Sequence, residues 1–270
     1  MKVKQIKIDF QVTPEIERFV YVYLIQTDNG CVLIDSGVSG GEAKIEQAIL
    51  ESGHHPTELK GIFLTHAHPD HIGTAHYFRE KYGAKIYASE GERAWIENID
   101  LQFAERSIPN FYKLAGKSTR VDHVVKNGDK IDVSDDIHID VIGTPGHSAD
   151  AMSYRVGDMA FIGDTVPVRG DIPIFINLNH TRRSLAILEK LSSVEKFYPA
   201  WDQAYSFELM RQKIDDARKL TYELEKAVCD MDQEMELSAL ANQVCDRLHM
   251  PMWKKNPLFA RTIACCRRGK

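Results

Sequence analysis

An α/β fold with a helical region appended to its C-terminal side is what this sequence predicts, on three observations. Over residues 1–206, short apolar runs rich in β-branched residues alternate with segments of helical spacing. Several of those apolar runs end in Gly, Pro or Asp turns that carry a histidine or a carboxylate. From residue 207 to 270 the pattern changes to long helical spacings set among many charges.

The bulk properties bound what such a fold can serve. With 270 residues, 43% of them apolar, the chain can bury a full core, as one large domain or one and a half. A net charge of -5, with the positive residues dispersed, disfavours an electrostatic grip on nucleic acid and favours a small-molecule substrate. The N-terminus alternates charged and apolar residues and lacks the apolar core of a signal peptide. No run approaches the roughly 18 apolar residues of a membrane span. Cys31, Cys229, Cys245, Cys265 and Cys266 are odd in number and form no CxxC pair, so reduced thiols in a cytoplasmic protein are expected.

In chain order, residues 19–27 and 31–34 flank the turn Asp28-Asn29-Gly30 and read as a hairpin. Asp35 follows at the strand end, either as a hydrogen-bond partner of a ligand histidine or as a turn aspartate. Ala43, Ile45, Ala48 and Ile49 mark a helix that Gly53 stops, and His54 and His55 then fall in a polar loop. Residues 62–64 end a buried strand and lead into Thr65-His66-Ala67-His68-Pro69-Asp70-His71, where Pro69 keeps the residue before it out of the helical region. A helix is expected from about His71 through Lys81.

This loop holds four potential metal ligands. In an extended stretch His66 and His68 share a face and can grip one ion together. Asp70 and His71 lie past the bend and can serve a second ion through oxygen and nitrogen. Helix capping would account for Asp70 and leave three histidines idle.

Next come a short strand at residues 85–88 and a helix at 90–98 with Trp95 on its apolar side. Residues 99–118, with Phe103, Ile108, Phe111, Tyr112 and Leu114 interrupted by Pro109 and Gly116, read as an insertion. It serves either as a lid lining a substrate pocket or as a plain helical excursion padding the core. Strands at 121–125 and 137–142 lead to Gly143-Thr144-Pro145-Gly146-His147-Ser148, and strands at 152–156 and 159–162 lead to Gly163-Asp164-Thr165. His147 thus adds a third imidazole, and Asp164 a carboxylate able to bridge two ions.

At this point the residues resemble a family, the metallo-beta-lactamase-fold hydrolases, and within it the glyoxalase II-like and lactonase-like branch. The H-x-H-x-D-H motif is matched by His66, His68, Asp70 and His71, and Leu33-Ile34-Asp35-Ser36-Gly37, Thr144-Pro145-Gly146-His147-Ser148 and Gly163-Asp164-Thr165 follow in the family's order. The resemblance covers residues 6–205. It implies a four-layered αβ/βα sandwich with the metals at one edge: His66, His68 and His147 on the first metal, Asp70 and His71 on the second, Asp164 between them. Two zinc ions are implied, with Fe or Mn as the other options. One departure stands out. The family's last histidine follows the final core helix, here residues 181–191, but the segment reads Tyr198-Pro199-Ala200-Trp201-Asp202. An indole offers only an N–H donor and cannot ligate. Asp202, His180 or water remain to complete the second site, and oxygen there would favour harder metals.

The expected activity is hydrolysis of an ester-like bond, thioester or lactone first, by a metal-bound hydroxide. Asp70 is the catalytic candidate, binding metal and orienting or accepting the proton of water, and Tyr205 is a candidate donor to substrate. Other readings are a mononuclear non-haem iron dioxygenase using His66, His147 and Asp164, a phosphodiesterase, which would need a basic groove, and a non-catalytic ligand-binding or sensor protein. The helices of 207–270 shape the pocket, pair two subunits as a homodimer, or form a satellite core around residues such as Met250 and Trp253. The basic end Arg267-Arg268-Gly269-Lys270 reads as a solvated tail.

Overall fold

The computed structural model describes residues 1–267, so all but the first residue of the basic tail lies outside the described residues. Two six-stranded sheets organise the chain. The first begins with β1 (Lys2–Thr13) and β2 (Ile16–Thr27), antiparallel with Lys2 opposite Gln26 and Asp9 opposite Phe19. In β1, Ile6 and Ile8 turn inward while Lys7 and Asp9 face solvent, the alternation of a sheet covered on one face. β3 (Gly30–Ile34) closes the expected hairpin and is buried along its whole length. β4 (Leu59–Phe63), β5 (Lys85–Ser89) and β6 (His123–Val125) add to it in parallel. Parallel neighbours need crossovers, and α1 (Glu42–Glu51), α3 (Ala75–Tyr82) and α4 (Glu90–Glu97) lie within them.

The second sheet runs through β7 (Lys130–Ser134), β8 (Ile137–Gly143), β9 (Met152–Val156), β10 (Met159–Gly163), β11 (Lys196–Pro199) and β12 (Tyr205–Ser206). Only the β10–β11 pair is parallel among its described pairings, and α7 (Leu178–Glu189) makes that crossover. The sheets face one another through Ile25, Val32, Ile34 and Phe63 on one side and Ile139, Val141, Tyr154 and Phe161 on the other. A second apolar layer packs helices outside the first sheet, around Ile45, Ile49, Phe78 and Ile96. A third, around Leu185, Leu188, Ile214 and Ala217, packs α7 and α8 (Phe207–Cys229) outside the second sheet. These are the four layers that the resemblance implied.

The C-terminal apolar positions form a further core. α8, α9 (Leu237–Arg247) and α10 (Pro257–Ala264) bury Leu224, Leu240, Val244, Met250 and Phe259 against Phe175 and Leu178. All five cysteines are free. No helix among the described residues is long and apolar enough to cross a membrane.

One expected element is divided. The helix after the histidine loop starts earlier, as α2 (Pro69–Ile72), then breaks at Gly73 and Thr74 before α3. Gly73 is there because nothing larger fits: a Cβ would collide with the Ser39 backbone nitrogen and the Leu114 carbonyl oxygen, while the Gly73 N–H donates to Gly37 O at 2.7 Å. The insertion supplies that wall through α6 (Phe111–Ala115), which follows α5 (Ile99–Glu105). Phe111, Leu114 and Ala115 are buried in the core, whereas Phe103 and Tyr112 keep exposed surface, so this segment does pad the core.

Gly73→Ala is therefore expected to destabilise the fold by roughly 1–3 kcal/mol or more through overpacking against backbone. Gly170→Ala, which meets nothing within 4 Å, should change stability by less than about 0.5 kcal/mol. Urea titrations of both variants check the contrast, and equal midpoints would refute it.

Candidate metal centre

Five strand ends of the two sheets deliver side chains to one region. β3 ends at Asp35, β4 at the loop from Thr65 to His71, β8 at the loop holding His147, β10 at Asp164 and β11 at Trp201. The sheets are tied there by hydrogen bonds: Met152 N–H donates to Thr65 O at 2.8 Å, and the Tyr154 hydroxyl to Leu64 O at 2.8 Å. Gly163, at φ +49, brings β10 so close to Thr65 that a Cβ would lie 2.7 Å from the Thr65 hydroxyl.

Asp35 holds the first loop in shape. Its Oδ1 accepts the Thr65 N–H at 2.7 Å, and its Oδ2 accepts the Thr65 hydroxyl at 2.9 Å and His71 Nδ1–H at 2.8 Å. Of the two readings left open for Asp35, it is the histidine partner. These partners also assign tautomers. His71 spends Nδ1–H on Asp35, His147 donates Nδ1–H to Ile174 O at 2.9 Å, and His66 Nδ1 faces the Thr65 hydroxyl at 3.0 Å. Each of these three rings thereby turns Nε2 toward the centre, while His68 presents Nδ1.

The result is two overlapping clusters. His66, His68, His147 and Asp164 bring one donor atom each within 4.8 Å of one another, and so do Asp70, His71 and Asp164. His68 Nδ1 is 2.9 Å from both His66 Nε2 and His147 Nε2. Asp164 Oδ2 lies 3.2 Å from His147 Nε2, and its Oδ1 lies 3.5 Å from His71 Nε2, which is 3.3 Å from Asp70. Asp164 is thus common to both. Both 2.9 Å separations lie a little inside the roughly 3.3 Å between ligands around a tetrahedral zinc.

Burial sets the charge states. It pushes His66 and His68 well below the ordinary histidine value, helped by the positive charges of their neighbours, and lowers His147 as well. These are neutral imidazoles with free lone pairs, the form that binds metal. Burial would also lower His71, but the carboxylates of Asp164, Asp35 and Asp70 outweigh it and hold its pKa well above the usual value. Burial opposes ionisation of Asp164, yet His71 and His147 keep its carboxyl below the usual range. His71 Nε2 and Asp164 Oδ1 have no hydrogen-bond partner although both are buried. Orphaned donor atoms facing one another, together with three carboxylates around one imidazole, fit a site built for a divalent cation.

The residues considered for completing the second cluster are placed elsewhere. Asp202 accepts from Lys213 Nζ and the Tyr205 hydroxyl, each at 2.9 Å, and from Gln203 N–H at 2.8 Å, so its oxygens serve the start of α8. Tyr205, 2% exposed, is buried with its hydroxyl spent on that carboxylate. His180 sits in the first turn of α7, where its backbone N–H donates to the Asn177 side chain at 2.9 Å, and it joins neither cluster. Trp201 lies close enough to Asp164 for its indole N–H to favour the ionised carboxylate. Its ring packs with Phe10 and Phe19, under the Arg18 guanidinium at 4.6 Å.

Three contributors escape a reading from motifs. Glu92 on α4, 3% exposed, accepts Ala67 N–H at 3.0 Å, the Ser148 hydroxyl at 2.6 Å and Asp150 N–H at 3.0 Å, clamping the two histidine loops together. Gln102 on α5 donates to Ala67 O at 2.6 Å, and Arg106, at the end of α5, is 7% exposed. The available signal was spacing: Glu92 precedes Ile96 by four positions, and Ile99, Gln102 and Arg106 follow at three and four, all on faces that the helices bury. Two surface hollows, of about 600 Å³ and 410 Å³, open elsewhere on the molecule, and none of the six cluster residues lines either.

Comparisons with known proteins point to one family. The family model of the metallo-beta-lactamase superfamily matches residues 16–198. A Bacillus subtilis (strain 168) protein, "Probable metallo-hydrolase YqgX", is 32% identical over 148 residues, covering 53% of this chain and 64% of its own. The hydroxyacylglutathione hydrolase of Brucella ovis is 31% identical over 159 residues, covering 56% and 51%. The chain thus spans less than two-thirds of the length of these curated relatives. Among solved structures, a metallo-beta-lactamase family protein of Thermus thermophilus superposes with a TM-score of 0.76 at 19% identity, covering 98% of this chain and 91% of the other. An archaeal superfamily protein from Sulfolobus tokodaii gives 0.65 at 21% identity, covering 97% and 98%. With its fold, its ordered motifs and a family match over residues 16–198, the chain belongs to the metallo-beta-lactamase superfamily.

Proposed function

We propose that this protein is a metal-dependent hydrolase of ester-like bonds, acting on a thioester first and a lactone second. The observation that carries this reading is the pair of clusters sharing Asp164. His66, His68, His147 and Asp164 would hold one zinc ion, and Asp70, His71 and Asp164 a second ion. Metal held there would supply Lewis acidity, polarising a substrate carbonyl and bringing the pKa of bound water toward neutrality. The chain's own residues do the rest. Asp35 and Thr65 orient the imidazoles, Glu92 keeps the two loops in register, and Asp70, the least buried member of the second cluster at 15% side-chain exposure, can hold the proton released from water. No serine or cysteine nucleophile is needed. Several relatives, including those from Brucella and Nitrobacter, are named hydroxyacylglutathione hydrolase, and a hydroxyacylglutathione is a thioester, which supports that substrate class. The three imidazole nitrogens favour this reading over a two-histidine, one-carboxylate iron centre.

Elemental analysis tests the metal assignment. About two divalent metals per chain are expected in the purified protein and about one in His71→Ala, while Asp202→Ala and His180→Ala should keep both. A single iron unaffected by His71→Ala would sink the binuclear reading and bring the dioxygenase forward.

Glu92→Gln should weaken metal retention about 10- to 100-fold, because an amide presents N–H toward a donor that the carboxylate now satisfies. Competition with a chelator measures it, and wild-type retention would remove Glu92 from the supporting shell.

Hydrolysis of acyl thioesters and lactones tests the reaction itself. Activity should disappear on chelation, return with zinc, and fall about a hundredfold or more in His71→Ala, the several kcal/mol that a metal contributes. Turnover that survives chelation would refute metal dependence.

A further inference from the structure

The guanidinium of Arg106 is a buried cation without a partner. The residue is 7% exposed, its backbone N–H closes the last turn of α5 on Gln102 O at 2.7 Å, and its side chain makes no hydrogen bond or ion pair with any described residue. Other arginines of the fold are paired: Arg18 with Asp171, Arg79 with Asp122, Arg218 with Glu189. None of the Arg106 nitrogens is among the fully buried unpaired atoms, so the fork keeps a small opening to solvent, and five N–H donors in a planar fork are suited to a planar oxyanion.

Its place is fixed by the same helix. Gln102 stands four residues earlier and donates to Ala67 O, between His66 and His68, and Arg106 caps the helix end just beyond it, near enough for its charge to act on both histidines. Nearby carboxylates are already engaged: Glu92 in three hydrogen bonds, Asp70 and Asp164 in the ligand clusters. Burial lowers the Arg106 pKa to about 10, which still leaves it charged near neutral pH, and the charges of Asp70 and Asp164 reach it. From the other side, Arg261 on α10 donates to Glu105 O at 2.9 Å and makes no ion pair among the described residues. The insertion and the C-terminal helices therefore meet beside the cluster with two guanidinium groups, of which only Arg106 is buried.

We propose that Arg106 is a specificity-determining residue that receives a carboxylate of the substrate, making the preferred substrate an acidic thioester rather than a neutral one. One buried fork matches one monoanion, and Arg261 adds positive charge at the rim. This inference rests on the hydrolase reading above, but its test separates the two.

The kcat/KM of S-acetyl-3-mercaptopropionate is compared with that of its uncharged amide, using the metal-loaded full chain. Wild type should prefer the carboxylate at least tenfold, Arg106→Gln should bring the ratio near one, and Arg106→Lys should restore part of it. A purely structural role for Arg106 would lower both rates and leave the ratio unchanged, which overturns the proposal, as does a wild type that does not discriminate. If neither compound is turned over, the thioester reading fails by itself. The proposal is then decided by calorimetric titration of the same two compounds. A tenfold tighter carboxylate in wild type that is lost in Arg106→Gln supports it, and equal affinities in wild type overturn it.

Discussion

One buried carboxylate, Asp35, is the constraint on which the site geometry depends. It takes three hydrogen bonds, two from Thr65 at the start of the histidine loop and one from His71 at its end. A loop whose two ends are held by one group six residues apart has little freedom left, and His66 and His68 are presented from between them. Asp35 adopts φ 58, a left-handed conformation that aspartate tolerates better than most residues. Its own backbone N–H donates to Phe63 O at 2.9 Å, so the turn is anchored to β4 as well. Without this acceptor, His71 Nδ1–H would be a buried unpaired donor, worth about 1–3 kcal/mol.

The electrostatic arrangement follows from the same geometry. Three imidazoles are driven neutral by burial, and one, His71, is surrounded by carboxylates and driven toward its charged form. The two groups differ in their carboxylate neighbours: Asp35, Asp70 and Asp164 surround His71, whereas Asp164 is the carboxylate that approaches His66 and His147. Such a division of donors gives one nitrogen-rich and one oxygen-rich pole joined by Asp164. On the proposed reading, the nitrogen-rich pole suits zinc and the oxygen-rich pole accepts a harder ion.

What was legible in the sequence was whatever is local. The hairpin through Asp28-Asn29-Gly30, the alternation of strands and helices, and the residues that converge as His66, His68, Asp70, His71, His147 and Asp164 stand in turns at strand ends, where composition and turn chemistry report directly. The division at Gly73 was not legible, because the wall that excludes a side chain belongs to Ser39 and Leu114, distant in sequence. Asp202 and Tyr205 were misplaced for a similar reason. Asp202 stood as one of three ways to complete the second cluster, and Tyr205 as a donor to substrate, but Lys213 on α8 and the Tyr205 hydroxyl both bind the Asp202 carboxylate. Glu92, Gln102 and Arg106 have no motif, and their roles exist only once α4 and α5 are docked on Ala67.

Trp201 shows how one substitution in the family pattern redirects the site. An indole cannot donate a lone pair, and its surroundings here make it part of a wall: Phe10 and Phe19 from the first hairpin pack against it, and Arg18 lies over its face while pairing with Asp171. A cation stacked on an indole contributes about 0.5–1 kcal/mol at such a partly exposed position. Trp201 thereby ties the end of β11 to β1 and β2. α5 and α10 are joined through Arg261 and Glu105 O. The insertion and the C-terminal helices thus share one boundary beside the histidine loop, and Trp201 with the first hairpin forms another.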